Sequence, residues 1–143
     1  MLDRLLVERK AQQLAQYLES LKVFEALTLE DYLEDETKHY AIERLMQLIV
    51  DEAIDINGHV ILASRQPPPK DYYSSFIQLA ALGVYPRSFA LDLAPTTALR
   101  NALVHEYEEV DPHEAYCNIR HFLKLYPRYL KHVLAFLERK SPR

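Results

Sequence analysis

The sequence predicts an all-α fold, an antiparallel bundle of about five helices in which residues 1–143 form one domain. Three observations carry this expectation. Two glycines among 143 residues, 49% of them hydrophobic, are too few for the many tight turns of a β-sandwich or barrel. Apolar residues recur at three- and four-residue spacing through most of the chain. One run is especially regular: Ile42, Met46, Ile49, Ala53, Ile56, Val60 and Ala63 alternate steps of four and three, so a single seam faces a neighbouring helix along the whole segment.

Each element has its own signals. Leu6, Leu14, Tyr17, Leu18 and Leu21 place a first amphipathic helix between Leu2 and Phe24, with Arg9, Lys10, Gln13 and Glu19 between them. Thr28 followed by Asp31 reads as a helix start, and the stretch to Asp35 is a short acidic connector or a single turn. The long helix carrying the regular seam begins near Asp35 and must stop before Pro67, Pro68 and Pro69. Asp71 caps a third helix bearing Tyr72, Phe76, Leu79 and Ala80, and Gly83 with Val84 behind it marks a left-handed terminus. Pro86 suits the first turn of the next helix. Pro95 interrupts the run from Arg87 to His105, which is then either kinked or two helices. Asp111, Pro112 and Glu114 begin a last helix through Ile119, Phe122, Leu123, Tyr126, Leu130, Val133 and Leu137, with a bend expected at Pro127.

Composition narrows the function. A net charge of -4 argues against a nucleic-acid surface spread over the whole protein, so any RNA contact must be local. The single cysteine, Cys117, cannot close an intramolecular disulfide, no apolar run approaches the ~20 residues that span a bilayer, and the N-terminal residues lack a secretory signal. A cytoplasmic protein without membrane contact is expected. His39, His59, His113, His121 and His132 lack metal-ligand spacing, and no thiol neighbours Cys117, so no metal site is expected. There is no glycine-rich phosphate loop and no nucleophile elbow, and Cys117 is expected to be buried and inert within the last helix.

Chemistry concentrates in RNALVHEY, residues Arg100 to Tyr107. At about 100° per residue, Asn101 and His105 fall on one side of a helix and Leu99 and Leu103 roughly opposite, with Arg100 between the two faces. On the long helix, Glu52, Asp55 and His59 form a polar line beside the apolar seam, readable as a solvated stripe or a set of helix-surface pairs.

Arg100, Asn101, His105 and Tyr107, together with IDINGHVI (Ile54 to Ile61), the proline break, FIQLAALGV (Phe76 to Val84) and EYEEVDPHEAY (Glu106 to Tyr116), resemble the HepT-like branch of HEPN domains. Pro95 departs from that pattern, because the arginine of the family sits on an unbroken helix. The resemblance implies a metal-independent endoribonuclease toxin of a toxin–antitoxin system that needs no cofactor. It implies a homodimer in which two copies of Arg100 and His105 form one RNA-cleaving cleft, supported by Asn101 and by Asp55 as a residue that orients Arg100 or lines the cleft. The implied partner is an MntA-type minimal nucleotidyltransferase antitoxin, which modifies Tyr107 with AMP. A different class of function also fits the same fold: a non-catalytic HEPN adaptor that binds a nucleotidyltransferase or its nucleotide. The intact Arg100, Asn101 and His105 set favours the enzyme.

The spacing itself is compatible with a shared cleft. An isolated helix spreads Arg100 and His105 over about 140° of arc and about 7.5 Å of rise, an awkward pair within one chain. Two copies across a symmetry axis can converge on one phosphate.

Overall fold

A computed structural model describes residues 2–105 and 110–140, and these form seven helices and no strand. They are α1 (Arg4–Lys22), α2 (Leu29–Glu34), α3 (Glu36–Ala63), α4 (Tyr72–Ala81), α5 (Arg87–Leu93), α6 (Thr96–Val104) and α7 (Pro112–Lys140). The fold is all-α, as expected. The count exceeds five because the acidic connector is a helix, α2, and because Pro95 divides its segment into α5 and α6.

The helix ends follow local chemistry. The side chains of Thr28, Asp35 and Asp71 accept hydrogen bonds from the backbone N–H groups of Asp31, Lys38 and Ser74, satisfying donors that the first turn leaves open. Gly83 adopts φ 86°, and its N–H and that of Val84 bond back to the carbonyls of Ala80 and Leu79. This double closure needs a left-handed residue, which glycine supplies without a Cβ penalty. Pro86 stands just before α5 as its capping residue, one position earlier than the first turn. At Pro95 the chain lacks an N–H for helical bonding, and it restarts at once as α6. Pro127, in contrast, lies inside the continuous α7.

The helices share one hydrophobic core. Central to it is α3, which packs against α1, α4, α6 and α7. Ile42, Met46, Ile49, Ala53, Ile56 and Val60 are all buried, whereas Ala63, at the fraying end of the seam, is half-buried. On α1 the buried seam is Val7, Ala11, Leu14, Leu18 and Leu21; Leu6 and Tyr17 flank it and are only partly buried. Cys117 lies within α7 as expected but is exposed rather than buried, because it falls on the solvent face between Ala115 and Ile119.

One polar node crosses this core. Asn57 of α3 is 0% exposed. Its Oδ1 accepts from the Tyr129 hydroxyl of α7 at 2.6 Å, and its Nδ2 donates to Ser75 Oγ of α4 at 3.0 Å. The Ser75 hydroxyl in turn donates to the Tyr72 carbonyl at 2.7 Å. Burial pushes the Tyr129 phenol well above its ordinary range, so the hydroxyl keeps the proton that it donates. Buried polar groups are costly unless paired, and this chain of donors pairs them while fixing the relative positions of three helices.

Asn57→Ala removes both hydrogen bonds at once. It is expected to destabilise the fold by about 2–3 kcal/mol and to lower Tm by roughly 5–10 °C. Urea and thermal unfolding measure this, and an unchanged midpoint contradicts the assigned role.

Candidate functional site

The site is built on α6, whose first turn is anchored from below. Thr96 is buried and donates from Oγ1 to the Leu93 carbonyl at 2.7 Å, while the Tyr126 hydroxyl of α7 lies 2.7 Å from the same oxygen. Since the Thr96 proton is already used, Tyr126 is the donor. Thr97 similarly donates to the Ala94 carbonyl at 2.8 Å. Leu99 and Leu103 then pack against the core, which turns Arg100 and Asn101 toward the partly exposed side.

Arg100 is held by three helices. Its Nε donates to Asp51 Oδ1 of α3 at 2.6 Å, a short charge-assisted bond. Its Nη1 donates to Asn101 Oδ1 of its own helix at 3.2 Å. Its guanidinium carbon lies 5.0 Å from the centroid of the Tyr72 ring of α4, within cation–π range. The side chain retains 18% exposure, so it is neither free to wander nor closed to an anion. Among the described residues no hydrogen bond reaches Nη2.

His105 does not continue the helix. It is the C-capping residue of α6, in extended backbone with φ -88° and ψ 103°, and its N–H bonds to the Asn101 carbonyl at 3.1 Å. The imidazole belongs to an exposed residue beyond the helix end, so the arc calculated for a continuous helix does not apply to it. Tyr107 lies outside the described residues.

The carboxylate that orients Arg100 is Asp51, one turn before the Asp55 expected for that role. Asp55 instead ion-pairs with Lys10 of α1 at 3.2 Å, and Lys10 also stands 4.0 Å from Glu52. Glu52 is therefore part of an α1–α3 charge cluster rather than a solvated stripe. Its pKa is raised, chiefly by burial, against the attraction of Lys10 and with the repulsion of Asp55 and Asp51 added. Tyr72, a core-facing residue of α4 by its spacing, is 44% exposed and carries the guanidinium. A partial signal for Asp51 did exist: at 100° per residue it lies about 40° from Asp55, just outside the sector of Glu52, Asp55 and His59.

Beside Tyr72, α3 and α4 enclose an open cavity of about 380 Å³, lined by Ile54, Asp55, Gly58, His59, Leu62 and Tyr72 among others. Asp55 and His59 thus face a space next to the arginine rather than touching it. Among the described residues no three His, Cys, Asp or Glu side chains gather as metal ligands, and no helix is long and apolar enough to cross a membrane.

Comparison with known proteins agrees with this architecture. The model of the family described as Ribonuclease HepT-like matches residues 14–133. The tRNA nuclease HepT of Aphanizomenon flos-aquae (strain 2012/KM1/D3) is 33% identical over 136 residues, covering 95% of this chain and 92% of its own. Among solved structures, the cytosolic protein YutE of Bacillus subtilis superposes with a TM-score of 0.84 at 22% identity, over 99% of this chain and 96% of its own. The tri-AMPylated HEPN toxin of Shewanella oneidensis, solved in complex with its MNT antitoxin, gives 0.82 at 20% identity over 94% and 99%. At these identities the two structures establish a shared helical fold. With a family model spanning most of its length and a relative one-third identical along nearly all of it, this chain belongs to the Ribonuclease HepT-like family.

Proposed function

We propose that this protein is a metal-independent endoribonuclease, the toxin of a toxin–antitoxin pair, and that it cuts RNA in a cleft formed by Arg100 and His105 from two copies of the chain. The observation that carries the reading is the clamped guanidinium. A surface arginine with no task gains little from being fixed by Asp51, Asn101 and Tyr72 together, since ordering so long a side chain costs conformational entropy. An arginine that must meet a phosphate in one orientation gains from having that cost met in advance. The nuclease activity named for the Aphanizomenon relative supports the same reading and makes tRNA the first substrate to assay.

The chemistry follows from the residue types. One His105 accepts the proton of a ribose 2'-hydroxyl, and the 2'-oxygen attacks the adjacent phosphorus. The bond from phosphorus to the 5'-oxygen breaks, and the second His105 donates a proton to that leaving oxygen. The products are a 2',3'-cyclic phosphate and a 5'-hydroxyl. Histidine suits both transfers because imidazole exchanges protons near neutrality, and Arg100 stabilises the charge that builds on the phosphorane oxygens. Two histidines are needed at once, which is the reason for a homodimer. Asn101 keeps the guanidinium in plane, and Asp51 holds its Nε edge away from the cleft.

Regulation rests on the partner. A nucleotidyltransferase antitoxin of the MntA type transfers AMP from ATP to the Tyr107 hydroxyl, with pyrophosphate leaving. The added phosphate charge, two residues from His105 in sequence, competes with RNA for Arg100. The AMPylated Shewanella toxin, bound to its antitoxin, supports this arrangement by analogy.

Three outcomes test the proposal. Arg100→Ala and His105→Ala, each still folded, lose toxicity on expression and at least a hundredfold of tRNA cleavage, whereas wild-type activity in either variant removes the assigned site. Asp51→Asn keeps the fold but lowers kcat by roughly tenfold with KM little changed, as a positioning residue should; a pure rise in KM assigns Asp51 to substrate binding instead. After incubation with the cognate antitoxin and ATP, intact mass rises by whole AMP units in wild-type protein and not in Tyr107→Phe, and an equal gain in both places the modification elsewhere.

A further inference from the structure

The charge of this protein is divided unevenly. The whole chain carries 17 Lys and Arg against 21 Asp and Glu. Helix α7 reverses that balance, holding Arg120, Lys124, Arg128, Lys131, Arg139 and Lys140 against Glu114 and Glu138. No acidic residue occurs between Glu114 and Glu138.

Four of these cations share one face. Arg120, Lys124, Arg128 and Lys131 step by four, four and three, which at 100° per residue confines them to a sector of about 80° over about 16 Å of helix. All four are exposed, as is His121 beside them, and among the described residues none forms a salt bridge. The potential of the face is felt by its neighbour: His132 is held below its ordinary pKa by burial first, and then by Arg128, Lys131 and Arg139. Arg128 is steadied over the buried Phe89 ring at 4.6 Å. Between Arg120 and Lys131 the only other exposed residue is Pro127, and the exposed Leu134 lies beyond the last of these cations, so the cationic stretch itself has no large apolar centre of the kind around which protein partners pack.

We propose that this basic face of α7 is a track for the phosphate backbone of the RNA, holding the body of the substrate while one strand enters the cleavage site. The inference rests on the ribonuclease reading and deepens it. Charge complementarity selects the occupant: evenly spaced, unpaired cations without an apolar core fit a polyanion, and such contacts position nucleic acid without reading its sequence. Connectivity fits as well. Helix α7 begins at Pro112, seven residues after His105, so a chain of that length keeps its start within about 25 Å of the imidazole-bearing residue. Further along, the Tyr126 hydroxyl, between Lys124 and Arg128, lies 2.7 Å from Thr96 Oγ1 at the start of α6, so a backbone held along this part of α7 is within one substrate of the site. Concentrating unpaired cations on one helix face also explains how a protein of net negative charge holds RNA: binding is directed to a single local path.

The test measures the affinity of fluorescein-labelled tRNA by anisotropy as salt is varied, with His105→Ala in every protein to prevent cutting. Replacing Lys124, Arg128 and Lys131 together by glutamine should raise Kd at least tenfold and flatten the log–log salt dependence by about three units, one for each phosphate no longer neutralised. Arg120→Lys with Arg128→Lys should leave both unchanged, because charge and not shape is read. An unchanged Kd and slope in the glutamine variant overturns the track. So does a variant that binds tRNA normally but no longer binds the nucleotidyltransferase, which assigns the face to a protein. If the protein with His105 intact cuts tRNA while the glutamine substitutions change nothing, only the track fails; if it neither binds nor cuts RNA, the ribonuclease reading fails with it.

Discussion

A buried amide at the crossing of three helices fixes the turn that carries the ring against which the Arg100 guanidinium rests. Asn57 cannot be desolvated without partners, and the partners it finds are Tyr129 of α7 and Ser75 of α4. Satisfying those groups leaves little freedom in how α4 lies across α3. Apolar packing alone tolerates small slides between helices, whereas a chain of directed hydrogen bonds does not. Because Ser75 also grips the Tyr72 carbonyl, the first turn of α4 is fixed, and with it the ring on which Arg100 rests. The distance from core to site is thus only two hydrogen bonds and one stacking interaction.

The same economy appears on α6. Proline breaks the preceding helix, and the restart is secured by hydroxyls: Thr96 and Thr97 donate to the carbonyls of Leu93 and Ala94 at the end of the preceding helix, and Tyr126 ties Thr96 to α7. A short nine-residue helix has little stability of its own, so these ties and the packing of Leu99 and Leu103 hold it in place. Its far end then releases His105 into extended backbone. One residue of the pair is rigidly aimed and the other is displayed at a terminus. Under the proposed reading a second copy completes the site, with the arginine of each protomer defining the phosphate position while the histidines approach from the two helix ends.

What the residues reveal without coordinates is local. Thr28, Asp35, Asp71, Gly83 and Asp111 announce helix ends because each acts on backbone groups two to five residues away, and the regular seam of α3 is legible because periodicity is a property of one helix. Arg100, Asn101 and His105 stand out by type and by likeness to a family. The Asp51 bond does not, because it joins residues 49 apart and depends on how α3 and α6 cross. Asp55 is the natural choice for that role, yet Lys10 of α1 claims it. Leu6 and Val7 illustrate the same limit on a smaller scale: both fit an apolar stripe, and only the rotation of α1 against its neighbours decides that Val7 is buried.

Whether the cleft is shared between protomers is tested most directly by subunit mixing. Wild-type protein and His105→Ala protein are co-refolded in varied proportions so that dimers form at random, and tRNA cleavage is measured at constant total protein. If both imidazoles of one dimer act on one phosphate, activity follows the square of the wild-type fraction. Activity that follows the fraction linearly means that each chain cuts alone, and it contradicts the composite site.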